Sequence, residues 1–129
     1  MKYLTAKQVL FIHYRLIEET GGCHGVRDIK LLESAVNRPK ATFDGEELYP
    51  DIFTKAASIM HSLIKNHPFI DGNKRTAIAT ASIFLSFNNF KLKTSNNELE
   101  QFTIKIAEND ITLLKISQWF KDYTQDGVF

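Results

Sequence analysis

His67-Pro68-Phe69-Ile70-Asp71-Gly72-Asn73-Lys74-Arg75-Thr76 is the stretch on which the reading of this chain turns. It packs an imidazole, a carboxylate, a glycine, an amide and two adjacent cations into a few residues. An apolar run follows at once. From Thr76 to Phe87 the chain carries Ala77, Ile78, Ala79, Ala81, Ile83, Phe84, Leu85 and Phe87, apolar nearly all round. That pattern predicts a central buried helix with the charged cluster at its mouth. Free N–H groups and the positive end of the helix dipole converge at such a mouth, which makes it an anion site. A histidine is the side chain best suited to take up a proton near neutral pH, so His67 is the candidate base. Asp71 can hold Mg²⁺ together with phosphate oxygens. Gly72 lets backbone approach a phosphate closely. Asn73 can cap the helix or donate its amide to an anion. Lys74 brings a point charge and Arg75 a planar fork. A dipole end adds only ~0.3–1 kcal/mol per charge, so the cations and the metal must carry most of the binding.

Working outward, the flanking sequence predicts an all-α class of about six helices around the buried one. Thr5-x-x-Gln8 is a capping box that opens a helix ending at Gly21-Gly22. Asp28 caps a short second helix, which Pro39 stops. Asp44-Gly45 is a turn signal for a short flap-like hairpin or an irregular loop within residues 40–50. Asp51 caps a third helix that places Ile52, Ala56, Ile59, Met60, Leu63 and Ile64 inward and runs to Asn66. Asn88-Asn89 ends the buried helix, and Lys91-Leu92-Lys93 reads as an extended link. Ser95-x-x-Glu98 boxes a fifth helix, and a sixth begins near Thr112.

Composition bounds the rest. A chain of 129 residues fits one domain, residues 1–129, able to bury roughly two-thirds of its unfolded surface. A net charge of +1 gives no global field for nucleic acid or for an anionic membrane. The cations precede a buried helix, whereas a DNA-reading helix must expose its polar face. No run reaches the ~20 apolar residues of a membrane span. The single Cys23 excludes an internal disulfide and suggests a reducing compartment. With no signal peptide in evidence at Met1-Lys2-Tyr3-Leu4, the expectation is a cytoplasmic protein. His13, His24 and His61 lack metal-ligand spacing and read as packing residues, and Arg27-Asp28 as a turn and cap. Neither a Gly-Lys-Ser/Thr phosphate loop nor a dinucleotide fingerprint is present.

The central segment resembles the signature of the Fic/Doc superfamily, His-Pro-Phe-x-x-Gly-Asn-Gly-Arg-x-x-Arg. His67, Pro68, Phe69, Gly72, Asn73 and Arg75 match it. Lys74 stands where the pattern has its second glycine and Ile78 where it has its last arginine. Both departures are similar to the death-on-curing (Doc) branch, whose motif carries Asn-Lys-Arg. Tyr3-Leu4-Thr5, Gly25-Val26-Arg27-Asp28, Leu31-Leu32-Glu33-Ser34-Ala35, Ala41-Thr42-Phe43, Leu48-Tyr49-Pro50-Asp51 and Lys55-Ala56-Ala57 extend the likeness over essentially the whole chain.

The resemblance implies a Fic-type fold and a toxin of a toxin–antitoxin pair, with ATP and Mg²⁺ as cofactors. Fic enzymes move AMP from ATP to a protein hydroxyl. The Doc branch is associated with transfer of the γ-phosphate to a threonine of elongation factor Tu, which halts translation. By position, His67 is then the general base, Asp71 the Mg²⁺ ligand, and Asn73, Lys74 and Arg75 the phosphate binders. A lysine at 74 fills the volume a glycine leaves open, so the nucleotide is expected to enter in another orientation. Thr42 and Phe43 are the expected docking edge of the flap, which pairs with the target as an added strand. The inhibitory pattern Ser/Thr-x-x-x-Glu-Gly/Asn of many Fic proteins has no match, since Thr42-x-x-x-Glu46 is followed by Glu47. Inhibition is therefore expected from a separate antitoxin.

Overall fold

A computed structural model describes residues 1–126; the last three residues of the expected domain lie outside it. Six α-helices carry the described chain: α1 (Ala6–Thr20), α2 (Ile29–Asn37), α3 (Ile52–Asn66), α4 (Asn73–Phe87), α5 (Asn96–Glu108) and α6 (Leu113–Asp122). Two short antiparallel ribbons complete it. Strands β1 (Thr42–Phe43) and β2 (Glu46–Glu47) form the hairpin, and β3 (Phe90–Leu92) pairs with β4 (Thr124–Asp126). The architecture is the all-α one expected, with a small hairpin.

Local chemistry sets most boundaries. Thr5 and Ser95 close full capping boxes on α1 and α5, and Asp51 does the same for α3 with Thr54. Asp28 and Thr112 cap α2 and α6 through their side chains. The hairpin turns on Asp44 (φ 53°) and Gly45 (φ 79°), both left-handed, the pair of conformations that matches strand twist.

The centre of the fold is a pair, α3 against α4, with α6 packed on the other side of α3. All six inward positions expected on α3 are buried. Lys55, Ala57, Ser58 and Ser62 are buried there too, so α3 is the more enclosed of the two. One flank of α4, at Ile78 and Ala79, is left half-open to a cleft. Phe69, 1% exposed, sinks into the core and pins the α3–α4 loop. The expected link at 91–93 is instead half of a ribbon, because Phe90, Lys91 and Leu92 find partners in the segment after α6. Helix α4 begins at Asn73, so Lys74 and Arg75 fall in its first turn.

Candidate active site

The geometry grows from how α3 ends and α4 begins. The last residue of α3 is Asn66, and His67 turns left-handed (φ 48°, ψ 60°). The αL region is disfavoured for a side chain with a Cβ, by about 1–2 kcal/mol. Arg27 secures it, with Nε donating to the His67 carbonyl at 2.7 Å and Nη2 to the Asn66 carbonyl at 2.6 Å. The N–H groups of Arg27 and Asp28 both donate to the Pro68 carbonyl, at 2.7 and 3.0 Å. The Ile70 N–H donates to Gly25 at 3.1 Å. The segment after α1 thus backs the whole motif loop.

Asn73 locks that loop from the other side. Its Oδ1 accepts from the Phe69 N–H and its Nδ2 donates to the Phe69 carbonyl, both at 2.9 Å. Its side chain is 9% exposed. The amide is therefore neither a helix cap nor a free donor for an anion, as the sequence allowed, but a brace. What Asn73 offers an anion is its backbone N–H. The first intrahelical bond of α4 runs from Thr76 N–H to Gly72 O, 2.9 Å. The N–H groups of Asn73, Lys74 and Arg75 are left without helical partners. Gly72, left-handed at φ 77°, heads the helix with no side-chain cap. Among the described residues the other five α-helices are each closed by a capping side chain, and α4 alone opens on a bare backbone.

His67, Asp71, Gly72, Asn73, Lys74 and Arg75 all line one cleft of about 920 Å³, together with Leu16 and Thr20 of α1, Ile78 and Ala79 of α4, and the Asn96–Ile104 face of α5. That volume falls within the range of small-molecule sites. His67 both lines it and is exposed. Lys74 is exposed as well. Arg75 is half-buried and reaches back to α1, where Nη1 donates to Thr20 Oγ1 and, at 3.0 Å, to the Gly21 carbonyl. Its Nη2 lies 3.7 Å from Asp71 Oδ1. Arg75 so caps the negative end of α1 while facing the cleft.

The Asp71 carboxylate is fixed by two backbone donors, Cys23 N–H at 3.0 Å and Gly72 N–H at 2.8 Å. The N–H groups of Cys23 and Gly72, aided by Arg75, hold its carboxyl below the usual carboxylate range. Each oxygen accepts one N–H and keeps lone-pair capacity for more. The described residues contain no cluster of three or more His, Cys, Asp or Glu able to hold a metal. One anchored carboxylate beside an anion hole fits Mg²⁺, which takes one or two protein carboxylates and completes its shell with phosphate and water. It does not fit an ion that needs a full protein cage.

Three contributors escaped the sequence reading. His13, 4% exposed, stacks on Phe69 at 3.8 Å and 4°. Its Nε2 donates to the Asp71 carbonyl at 2.8 Å, because a carbonyl can only accept. Burial holds this imidazole below its ordinary pKa. Arg27 and the Cys23 backbone are the other two. All three lie 39–58 residues from their partners, a distance no local pattern spans. Thr42 and Phe43 sit on β1, both exposed, and are not among the residues that line the cleft.

Comparison with known proteins places the chain among relatives. "Toxin Doc" of Mycolicibacterium smegmatis is 50% identical over 99 residues, which cover 75% of this chain and 76% of the relative. "Protein kinase doc" of Escherichia phage P1 is 28% identical over 117 residues, 91% of each chain. The profile of the Fic/DOC family matches residues 3–85, a span that holds α1 to α3, the motif loop and the mouth of α4. The chain belongs to the Fic/DOC family.

Proposed function

We propose that this chain is a Doc-type toxin of a toxin–antitoxin pair. Its cleft transfers the γ-phosphoryl group of Mg·ATP to a Ser or Thr hydroxyl of a protein, with elongation factor Tu as the target and arrested translation as the result. The names of the two relatives, a toxin and a protein kinase, support the class. One observation carries the chemistry: the uncapped mouth of α4 and the exposed residue His67 line a single cleft.

Phosphoryl transfer needs mainly positioning and charge neutralisation. His67 takes the proton of the target hydroxyl as its oxygen bonds to the γ-phosphorus. The bond from that phosphorus to the bridging oxygen of ADP breaks. Charge on the departing diphosphate meets the Lys74 ammonium, the Arg75 guanidinium and the free N–H groups of residues 73–75. Asp71 is the residue that would hold Mg²⁺, which when bound neutralises and orients phosphate oxygens. The β1 edge, with Thr42 and Phe43, is the proposed docking strand for the target. A cognate antitoxin, supplied as a separate chain, is the proposed inhibitor. Cytoplasmic action follows from a translational target; among the described residues no helix is long and apolar enough to cross a membrane.

The test uses purified protein, elongation factor Tu, Mg²⁺ and ATP labelled at either the γ- or the α-phosphate. Label on the factor from the γ-position, absent with His67→Ala, is the expected result. Label from the α-position replaces kinase with AMP transfer. No label from either, with no growth arrest on expression without antitoxin, leaves a non-catalytic interaction module.

A further inference from the structure

In the Schellman ending of a helix, the residue after the left-handed one donates its N–H to a carbonyl in the last turn. Here the next residue is Pro68, which has no N–H. The closing bond cannot form, yet His67 is left-handed all the same. Arg27 supplies what is missing. Its Nε and Nη2 reach the His67 and Asn66 carbonyls, and its own N–H reaches the Pro68 carbonyl at 2.7 Å. Three consecutive carbonyls at the end of α3 are satisfied by one residue 39–41 positions upstream. The guanidinium also places a cation at the negative pole of α3.

We propose that Arg27 is a positioning residue for the His67 imidazole: by clamping the proline-broken end of α3 it holds the left-handed turn that presents the ring to the cleft. The phosphate side of the cleft does not depend on it. Asp71 is fixed by Cys23, Gly72 and His13, and the mouth of α4 by the Asn73–Phe69 brace. Loss of the clamp therefore moves the base and leaves the nucleotide. The inference deepens the proposed reaction and rests on His67 being its base.

Arg27→Ala and Arg27→Lys separate this from a merely structural role. With Arg27→Ala, kcat for transfer is expected to fall about 10²-fold, the scale on which a misplaced group loses rate. The KM for Mg·ATP stays within about 3-fold, because uniform binding is untouched. Arg27→Lys, which reaches one carbonyl at a time, recovers part of kcat. Unchanged kcat in Arg27→Ala, or kcat and KM failing together in step with the melting temperature, overturns the proposal. A second readout does not need activity. In ¹³C-labelled histidine NMR, Arg27→Ala should shift the His67 signals and increase ring mobility, while the His13 signals stay in place. If the wild type transfers no group to any protein, the base reading fails on its own. The clamp is then judged by the NMR alone, where an unmoved His67 overturns it.

Discussion

The loops at the two ends of α3 are built on opposite rules. After α3, the motif loop has most of its backbone polar groups bonded. Arg27 and Asp28 take the carbonyls of 66–68, Asn73 takes both backbone groups of Phe69, Gly25 takes the Ile70 N–H, and His13 takes the Asp71 carbonyl. Before α3, the hairpin is exposed throughout, with Phe43 at 76%. Beyond its own pairing it is closed by Leu48 N–H to the Ala41 carbonyl, 2.9 Å. Its side-chain tether to the core is Lys55, buried at 1% exposure, which donates to the Pro39 carbonyl at 2.8 Å and to Glu47 at 2.9 Å. The same helix thus anchors a rigid loop that carries the proposed chemistry and an open edge able to adapt to a partner. Rigidity is concentrated where a displacement of about 1 Å is costly.

The strongest way to sharpen this contrast is at the proposed base. His67→Ala removes a side chain that is exposed and takes no part in the core. Transfer is expected to fall ~10²–10⁴-fold, with thermal unfolding unchanged within error. Initial rates and melting curves check both halves. Asn73→Ala attacks the brace instead. It strands a buried N–H and a buried carbonyl of Phe69, at ~1–3 kcal/mol for each unpaired group. A loss of about 2–4 kcal/mol in urea denaturation is expected, with Mg·ATP affinity falling alongside. An Asn73→Ala protein as stable as wild type breaks the contrast, because the motif loop would then owe its order to something else.

What local pattern dictates was legible, and what long-range pairing dictates was not. The capping residues Thr5, Asp28, Asp51, Ser95 and Thr112 act within three residues of themselves, so sequence shows them directly. The passage of the motif straight into α4 is readable for the same reason, since the two are contiguous. Asn73 was misjudged because an asparagine beside a helix start is ordinarily a cap. Here it points backward to Phe69, and the cap position falls to Gly72. Lys55 was invisible among the apolar positions of α3 because a lysine defaults to solvent. Only the fold reveals that two acceptors from the hairpin region cover it. The β3–β4 ribbon joins segments more than thirty residues apart, and neither half declares itself alone.

Lys55→Met tests the hairpin tether. It leaves the Pro39 carbonyl unpaired while Glu47, half-exposed, returns to water. The expected cost is about 1–2 kcal/mol, smaller than that of Asn73→Ala. Amide exchange should quicken across residues 40–48 and stay unchanged across 67–75. The buried ammonium also carries a pH signature. Burial pushes its pKa down, but the bonded Glu47 carboxylate and the nearby Tyr3 side chain outweigh that and leave it raised. Its contribution is complete below the unfolded lysine value and is lost as pH climbs through the folded one, in the alkaline range. Faster exchange in the motif loop as well would mean that α3 couples its two ends and that the two loops are not independent.

The smallest effect is expected on the acid side, where one imidazole lies under each loop. Burial holds His13 below its ordinary pKa, with His24 and Arg75 opposing its charge and Asp71 favouring it. Burial does the same to His61, with Arg38 and Lys65 opposing charge. Both are therefore neutral in the fold at a pH where the unfolded chain begins to protonate them. Below about pH 6.5 the unfolded state binds more protons, so stability declines as pH falls toward the folded values. The His61 ring accepts from Arg38 Nη1 at 3.2 Å through Nδ1, beside the Arg38 bonds to Tyr49 and Ser62. Protonation removes that acceptor and sets two cations face to face at the root of the hairpin. Urea titrations at pH 7.5, 6.5 and 5.5 should show the decline, and His61→Gln, which cannot titrate, should show a shallower one. If the slope of His61→Gln matches wild type, the acid loss belongs wholly to the motif side. The hairpin would then be as insensitive to proton load as its exposure suggests.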